Sequence, residues 1–298
     1  MVAFSPAQVC AKIGTAGKGK CTLPPVNMFV RAFLAGVYIA MGASVATVGS
    51  TGVAAVLGAG IAQVVTGALF PIGLMFVVLT GAELFTGDAM FAPMAMFAPM
   101  AILQGQATLA GLAYLWVIVY IGNLVGSLFM AFCMTYGPLT TTVTASGSIA
   151  ATAFGARAVG IAVGKVSYAG VMGILSVFLK GILCNWLVCL AIFLALAADD
   201  IVSKILGIWF PIMGFVAAGY EHCVANMYFI PAGILTMPYL SAEQAASIAN
   251  INLLGWTSMI TSNLIWSTLG NIVGAAFFMA VIYNYCYKKD IEAIQKAA

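Results

Sequence analysis

Charge is what this 298-residue chain has least of: Asp, Glu, Lys and Arg together make up 6% of it, against about 25% in an ordinary soluble domain. With 63% hydrophobic residues and a mean hydropathy of +1.11, it cannot cover a water-facing surface, which excludes a soluble globular protein. Histidine occurs once, as His222, and one histidine cannot build a metal site by itself. The seven cysteines, Cys10, Cys21, Cys133, Cys184, Cys189, Cys223 and Cys286, form no CxxC pair and no regular spacing, so neither zinc nor a disulfide framework is indicated. They read as small apolar residues. Residues 1–27 carry Lys12, Lys18 and Lys20 but no long apolar core and no small-residue cleavage site. They are therefore a short surface segment rather than a secretory signal.

Long apolar stretches are what the chain has instead, over residues 29–49, 56–103, 107–134, 168–198, 205–240 and 256–287. A helix crosses a bilayer in roughly 20 residues, so the reading is an all-α integral membrane protein of six transmembrane helices. The second and fifth stretches are too long for one straight helix and contain polar residues and prolines. An even number of spans puts both tails on one face. Lys288, Lys289 and Lys296, with the N-terminal lysines, make that face cytoplasmic. The organisation expected is a cytoplasmic segment over 1–27, one transmembrane domain over 28–287 and a cytoplasmic tail over 288–298. Of the remaining cations, Arg31 opens the first span and Lys204 lies in the short loop after the fourth. Lys180, inside the fourth span, either snorkels, pairs with a carboxylate or binds between subunits. Arg157 and Lys165 sit in the outer loop between spans three and four, as an ordinary solvated loop or as a mildly attractive field for anions.

The two halves of the chain resemble each other. G-A-E-L-F-T-G-D-A-M-F-A-P from Gly81 and G-Y-E-H-C-V-A-N-M-Y-F-I-P from Gly219 match at Gly81/Gly219, Glu83/Glu221, Asp88/Asn226, Phe91/Phe229 and Pro93/Pro231, all at one offset. In the same order, Phe33-Leu34-Ala35-Gly36 answers Phe178-Leu179-Lys180-Gly181. Phe70-Pro71-Ile72 answers Phe210-Pro211-Ile212, and Gly122-Asn123-x-x-Gly126 answers Gly270-Asn271-x-x-Gly274. Each half, 28–136 and 167–287, holds three spans, so the second must sit upside down relative to the first. Paired interrupted helices in an inverted repeat point to the substrate path, here to segments 81–93 and 219–231.

Glu83, Asp88, Glu221 and His222 lie inside apolar stretches, where a charge costs roughly 2.5–3.5 kcal/mol unless it faces protein or water. The three carboxylates are expected to cap the polar groups left open where a helix stops inside the membrane. Thr86 and Asn226 either cap in the same way or line a pore. A broken helix also aims its positive N-terminal end at the break, which favours an anion there. His222 sits at the repeat interface, and its imidazole titrates near physiological pH.

These motifs resemble a known family. G-Y-E-H-C-V-A-N-M-Y-F-I-P-A-G is similar to the fifth-span signature of the formate/nitrite transporter family, and G-A-E-L-F-T-G-D to its second-span signature. G-I-L-C-N-W-L-V-C-L-A, from Gly181 to Ala191, resembles the fourth span, and G-N-L-V-G and G-N-I-V-G the third and sixth. The resemblance implies an aquaporin-like protomer with one pore, interrupted second and fifth helices, and a homopentamer. It places the central histidine on His222, the second-span threonine on Thr86 and the fifth-span asparagine on Asn226. It puts the apolar constrictions on Phe70, Leu74 and Phe215, and a vestibule lysine on Lys165, the last by a looser spacing to Asn185.

The function expected from residues and resemblance together is passage of formate through each protomer, with nitrite or hydrosulfide as alternatives. An anion pays heavily to enter a narrow dry passage, yet a site that holds it too well will not release it. His222 answers both demands if it stabilises the anion or gives it a proton, which makes protons and the lipid bilayer partners as well. No cofactor, metal or nucleic acid is expected. A neutral-solute channel is disfavoured because neither half contains Asn-Pro-Ala. An intramembrane hydrolase is disfavoured because Ser44 lacks a following glycine and neither break offers a convincing nucleophile.

Overall fold

The computed structural model describes residues 3–91, 100–137 and 139–297; Pro93 of the repeat pairing lies outside the described residues. The first helix is α1 (Pro6–Cys21), whose start is fixed by a capping box in which Ser5 and Gln8 exchange side-chain and backbone bonds. It is followed by α2 (Pro25–Ser50), α3 (Val53–Leu69) and α4 (Ile72–Thr80), then a short α5 (Phe85–Phe91) and α6 (Met100–Leu103). Next come α7 (Leu109–Tyr136), α8 (Ala153–Val166), α9 (Gly170–Ala197), α10 (Ile201–Ala217), α11 (Cys223–Thr236) and α12 (Ala242–Ala246). The last apolar stretch begins with α13 (Trp256–Ser258), runs through α14 (Ile265–Ala275) and ends in α15 (Ile282–Ala297), with π-helical turns at Met259–Leu264 and Ala276–Val281. Side-chain caps at Thr108, Thr152 and Asp200 set the starts of α7, α8 and α10.

Among the described residues, five helices are long and apolar enough to cross a membrane: Pro25–Ser50, Val53–Thr80, Leu109–Tyr136, Gly170–Ala197 and Trp256–Ala297, with Ile201–Ala217 apolar but shorter. Large apolar side chains such as Val117, Phe132, Leu206 and Phe210 point outward from these helices, as side chains solvated by lipid or by neighbouring subunits do. The core is built from two tight helix pairs, α2 with α7 and α9 with α14. A Cβ added at Gly126 would fall 2.1 Å from the Phe33 carbonyl oxygen, and one at Gly274 would fall 2.3 Å from that of Ile182. These glycines let backbones touch within one protomer.

Three expectations are corrected. The chain is not wholly α: β1 (Thr141–Val143) pairs antiparallel with β2 (Ile149–Ala151) between α7 and α8. The β-branched Thr141, Thr142 and Val143 favour the strand, and Gly147 at φ 80° supplies the turn. The N-terminal segment is not a surface strip. Val9, Cys10 and Ile13 of α1 are fully buried, because its apolar face packs against α15 and α6. Lys204 lies in the first turns of α10 rather than in a loop, since Asp200 already caps that helix.

Candidate functional site

Helix α4 ends where Gly81 adopts φ 73°, and α10 ends shortly before Gly219 at φ 70°. That left-handed backbone is open to glycine at no steric cost. After each glycine comes a short non-helical segment, residues 82–84 and 220–222, and then a new helix, α5 or α11. Such segments carry open backbone groups, and buried ones must find partners.

One asparagine supplies two of them at each place. Asn123 of α7 donates through Nδ2 to the carbonyls of Ala32 (2.8 Å) and Glu83 (2.9 Å), and its Oδ1 accepts from Phe85 N (2.9 Å). Asn271 of α14 donates to the carbonyls of Gly181 (2.8 Å) and Glu221 (2.8 Å) and accepts from Cys223 N (2.9 Å). Glu83 N and Glu221 N donate to the carbonyls of Arg31 and Lys180. Asn185 of α9 ties the two regions together, donating to the carbonyls of Thr86 (3.0 Å) and Asn271 (2.8 Å).

The capping expected of Glu83, Asp88 and Glu221 is therefore corrected, for among the described residues their carboxylates bind side chains. An amide can give and take a hydrogen bond at once, which a break needs, whereas a buried carboxylate needs a cation. Glu83 is ion-paired with Lys20, and Arg31 lies 3.8 Å from it; Asp88 lies 3.0 Å from Lys20. Glu221 Oε1 accepts from Lys165 (3.0 Å) and Tyr168 (2.8 Å), and its Oε2 from Asn226 (2.7 Å) and Asn263 (3.1 Å). Lys180 donates to the Tyr168 hydroxyl at 3.0 Å. The contacts match Ala32 with Gly181 and Arg31 with Lys180. The pairing of Phe33–Gly36 with Phe178–Gly181 read from sequence is thus displaced by one helical turn, four residues being the next position on the same helix face.

His222 is itself the N-cap of α11. Its Nδ1 accepts from Ala225 N at 3.0 Å and its Nε2 lies 2.9 Å from Thr86 Oγ1. An imidazole nitrogen that accepts a backbone N–H carries no proton, so these bonds assign the neutral tautomer with hydrogen on Nε2, aimed at Thr86. The Phe215 ring stacks on the imidazole at 5.7 Å and 17°, and Phe70 meets Phe215 edge-on at 5.8 Å. Phe70, Leu74, Phe215, Thr86 and His222 are all buried.

A cavity of about 280 Å³ reaches this group, lined by Arg157, Lys165, Phe70, Phe215, His222 and Asn226 among others. Leu74 and Thr86 do not line it. Sequence reasoning missed Lys20, Asn123, Asn185, Asn263 and Asn271. The recurrence of asparagine in the two G-N-x-x-G motifs was the available signal. Asn263 reaches Glu221 from a π-helical turn, and such turns recur at functional sites.

Apolar membrane-spanning helices and a cavity lined by a buried histidine are the features of a multi-pass membrane transport protein. The chain belongs to the formate/nitrite transporter family, whose model matches residues 7–285. It is 40% identical over 293 residues to a probable formate transporter of Methanothermobacter thermautotrophicus, covering 96% of this chain and 98% of that one. Among solved structures it is similar to an FNT family ion channel (TM-score 0.76, 27% identity, 94% of this chain and 98% of the other). It is also similar to a pentameric formate channel with formate bound (TM-score 0.72, 31% identity, 89% and 98%). The chain is a transporter and not an enzyme.

Proposed function

We propose that the chain conducts formate, or a similar small monovalent anion, through a pore in each protomer of a homopentamer. The observation that carries the reading is the hydrogen bond between Thr86 and His222, which joins the start of α5 to the start of α11 where His222 lines the cavity. It is supported by the matched contacts of Asn123 and Asn271, which fit two inverted three-helix repeats with interrupted second and fifth helices. In that arrangement both termini are cytoplasmic in the cell membrane, and the cavity at Arg157 and Lys165 is the outer vestibule.

An anion entering the vestibule passes Lys165, which is paired with Glu221, and then the aromatic layer of Phe70 and Phe215, where water is stripped. Leu74 forms the matching constriction on the cytoplasmic side. Between the two, the anion can replace Thr86 as acceptor of the His222 Nε2 hydrogen, and the Thr86 hydroxyl can then donate to it. Two neutral donors offset desolvation without holding the ion as a fixed cation would. The anion of a weak acid can also combine with a proton arriving from bulk water, relayed through His222, and cross as the neutral acid. Asn226 lends polarity at the cavity wall.

Formate leads because the family and the relatives bear its name; nitrite and hydrosulfide follow as small conjugate bases. The test is flux of each anion into liposomes holding purified protein, with glycerol as neutral control. Saturable formate flux with little glycerol flux is expected. Fast glycerol flux without anion flux would instead make the chain a neutral-solute channel.

A further inference from the structure

We propose that Arg157 is a recognition site for planar oxyanions in the vestibule, loaded before the anion reaches His222; this rests on the anion-conducting reading above. Arg157, Gly160, Ile161, Gly164 and Lys165 all line the cavity, and their spacing puts them on one face of α8. A Cβ added at Gly160 or Gly164 would meet nothing within 4 Å, so that face is an open trough between two cations. At about 1.5 Å rise per residue, Arg157 and Lys165 stand roughly 12 Å apart along it.

The two cations differ in their partners. Lys165 is neutralised by Glu221 at 3.0 Å. Arg157 makes no hydrogen bond or ion pair among the described residues, and its Nε is buried without a partner. A half-buried guanidinium without a protein acceptor is costly for the fold. An anion from solution supplies the acceptor that the protein leaves out. Its shape is set by the donor: a guanidinium is a flat fork that matches a planar two-oxygen anion bidentately, which an ammonium cannot do. Formate and nitrite fit that fork, and hydrosulfide does not.

The experiment compares wild type, R157K and R157Q in proteoliposomes, measuring the half-saturating concentrations of formate, nitrite and hydrosulfide at fixed ionic strength. A lost charge-assisted pair is worth about tenfold in affinity. R157Q is expected to raise the formate and nitrite values by about that factor and the hydrosulfide value far less. R157K should restore hydrosulfide but not the two oxyanions. Equal changes for all three anions, fully rescued by lysine, would reduce Arg157 to a general positive field and overturn the proposal, as would no change in any. A second measurement is independent of transport. In purified assembled protein, phenylglyoxal labelling of Arg157 should be slowed by formate and not by chloride, with Arg31 as internal control. Equal labelling in both salts overturns the proposal. Liposomes inactive toward every anion would instead overturn the conduction reading, while the labelling result still decides Arg157.

Discussion

Replacing Asn271 by alanine removes three buried hydrogen bonds at once, to Gly181 O, Glu221 O and Cys223 N. The side chain is fully buried, so its former partners face either a void or an intruding water. At about 1 kcal/mol per bond with partial rescue by water, and up to about 2 kcal/mol per group left unpaired, the loss is roughly 3–6 kcal/mol. That is a large share of the roughly 5–15 kcal/mol that holds a domain folded. At about 2–4 °C per kcal/mol, the apparent melting temperature should fall by on the order of 10 °C in detergent at a fixed scan rate. Asn123→Ala removes the matching set and should cost a similar amount. If either variant melts within about 2 °C of wild type and conducts normally, the breaks are not held by these asparagines, and the matched contacts lose their meaning.

Other substitutions test separate parts of the account. Lys20→Ala leaves Glu83 and Asp88 facing each other with less compensation, a change on the order of 3 kcal/mol for a buried pair; limited proteolysis should then cut α1, which stays resistant in wild type. Gly126→Ala drives a methyl against the Phe33 carbonyl and should lower assembly yield. By contrast, Gly19→Ala, with nothing within 4 Å, should stabilise α1 by about 0.5–1 kcal/mol, read as a small rise in melting temperature. Phe70→Ala combined with Phe215→Ala should open the aromatic layer and raise leakage of ions larger than formate, measured by flux of a chloride-to-acetate series. Unchanged discrimination would refute the constriction.

The helix ends at Gly81 and Gly219, and the gathering of polar residues after them, are legible in the sequence for an energetic reason. Glutamates and a histidine inside apolar runs are too costly to face lipid, so their position in the chain already limits what they can do. Lys20 is not legible in this way. It lies in a polar segment where a lysine costs nothing, and its link to Glu83 spans 63 positions. The asparagines of the G-N-x-x-G motifs recur visibly, yet recurrence alone does not separate a packing motif from a hydrogen-bonding one. Which groups cap is not legible either: Asn123, Asn271 and His222 do so, whereas the carboxylates meet Lys20 and Lys165, cations remote from them in the sequence. The one-turn displacement in the α2–α9 pairing has a similar origin: in helices rich in Phe, Gly and Ala, a shift of four residues keeps the same face and nearly the same letters.

The central claim is that the anion passes His222, and pH-dependent formate flux through reconstituted His222→Phe protein tests it most directly. Phenylalanine keeps a flat ring beside Phe215 but removes the Nε2 hydrogen, the N-cap and every proton that could be given to the anion. With assembly confirmed by native mass spectrometry, the account predicts a large loss of flux and a residual that does not change with pH. His222→Asn, polar but not titratable near neutrality, should keep part of the conduction and lose the proton-linked uptake. Wild-type flux with the wild-type pH profile in both variants would contradict the account and leave His222 as a helix cap alone.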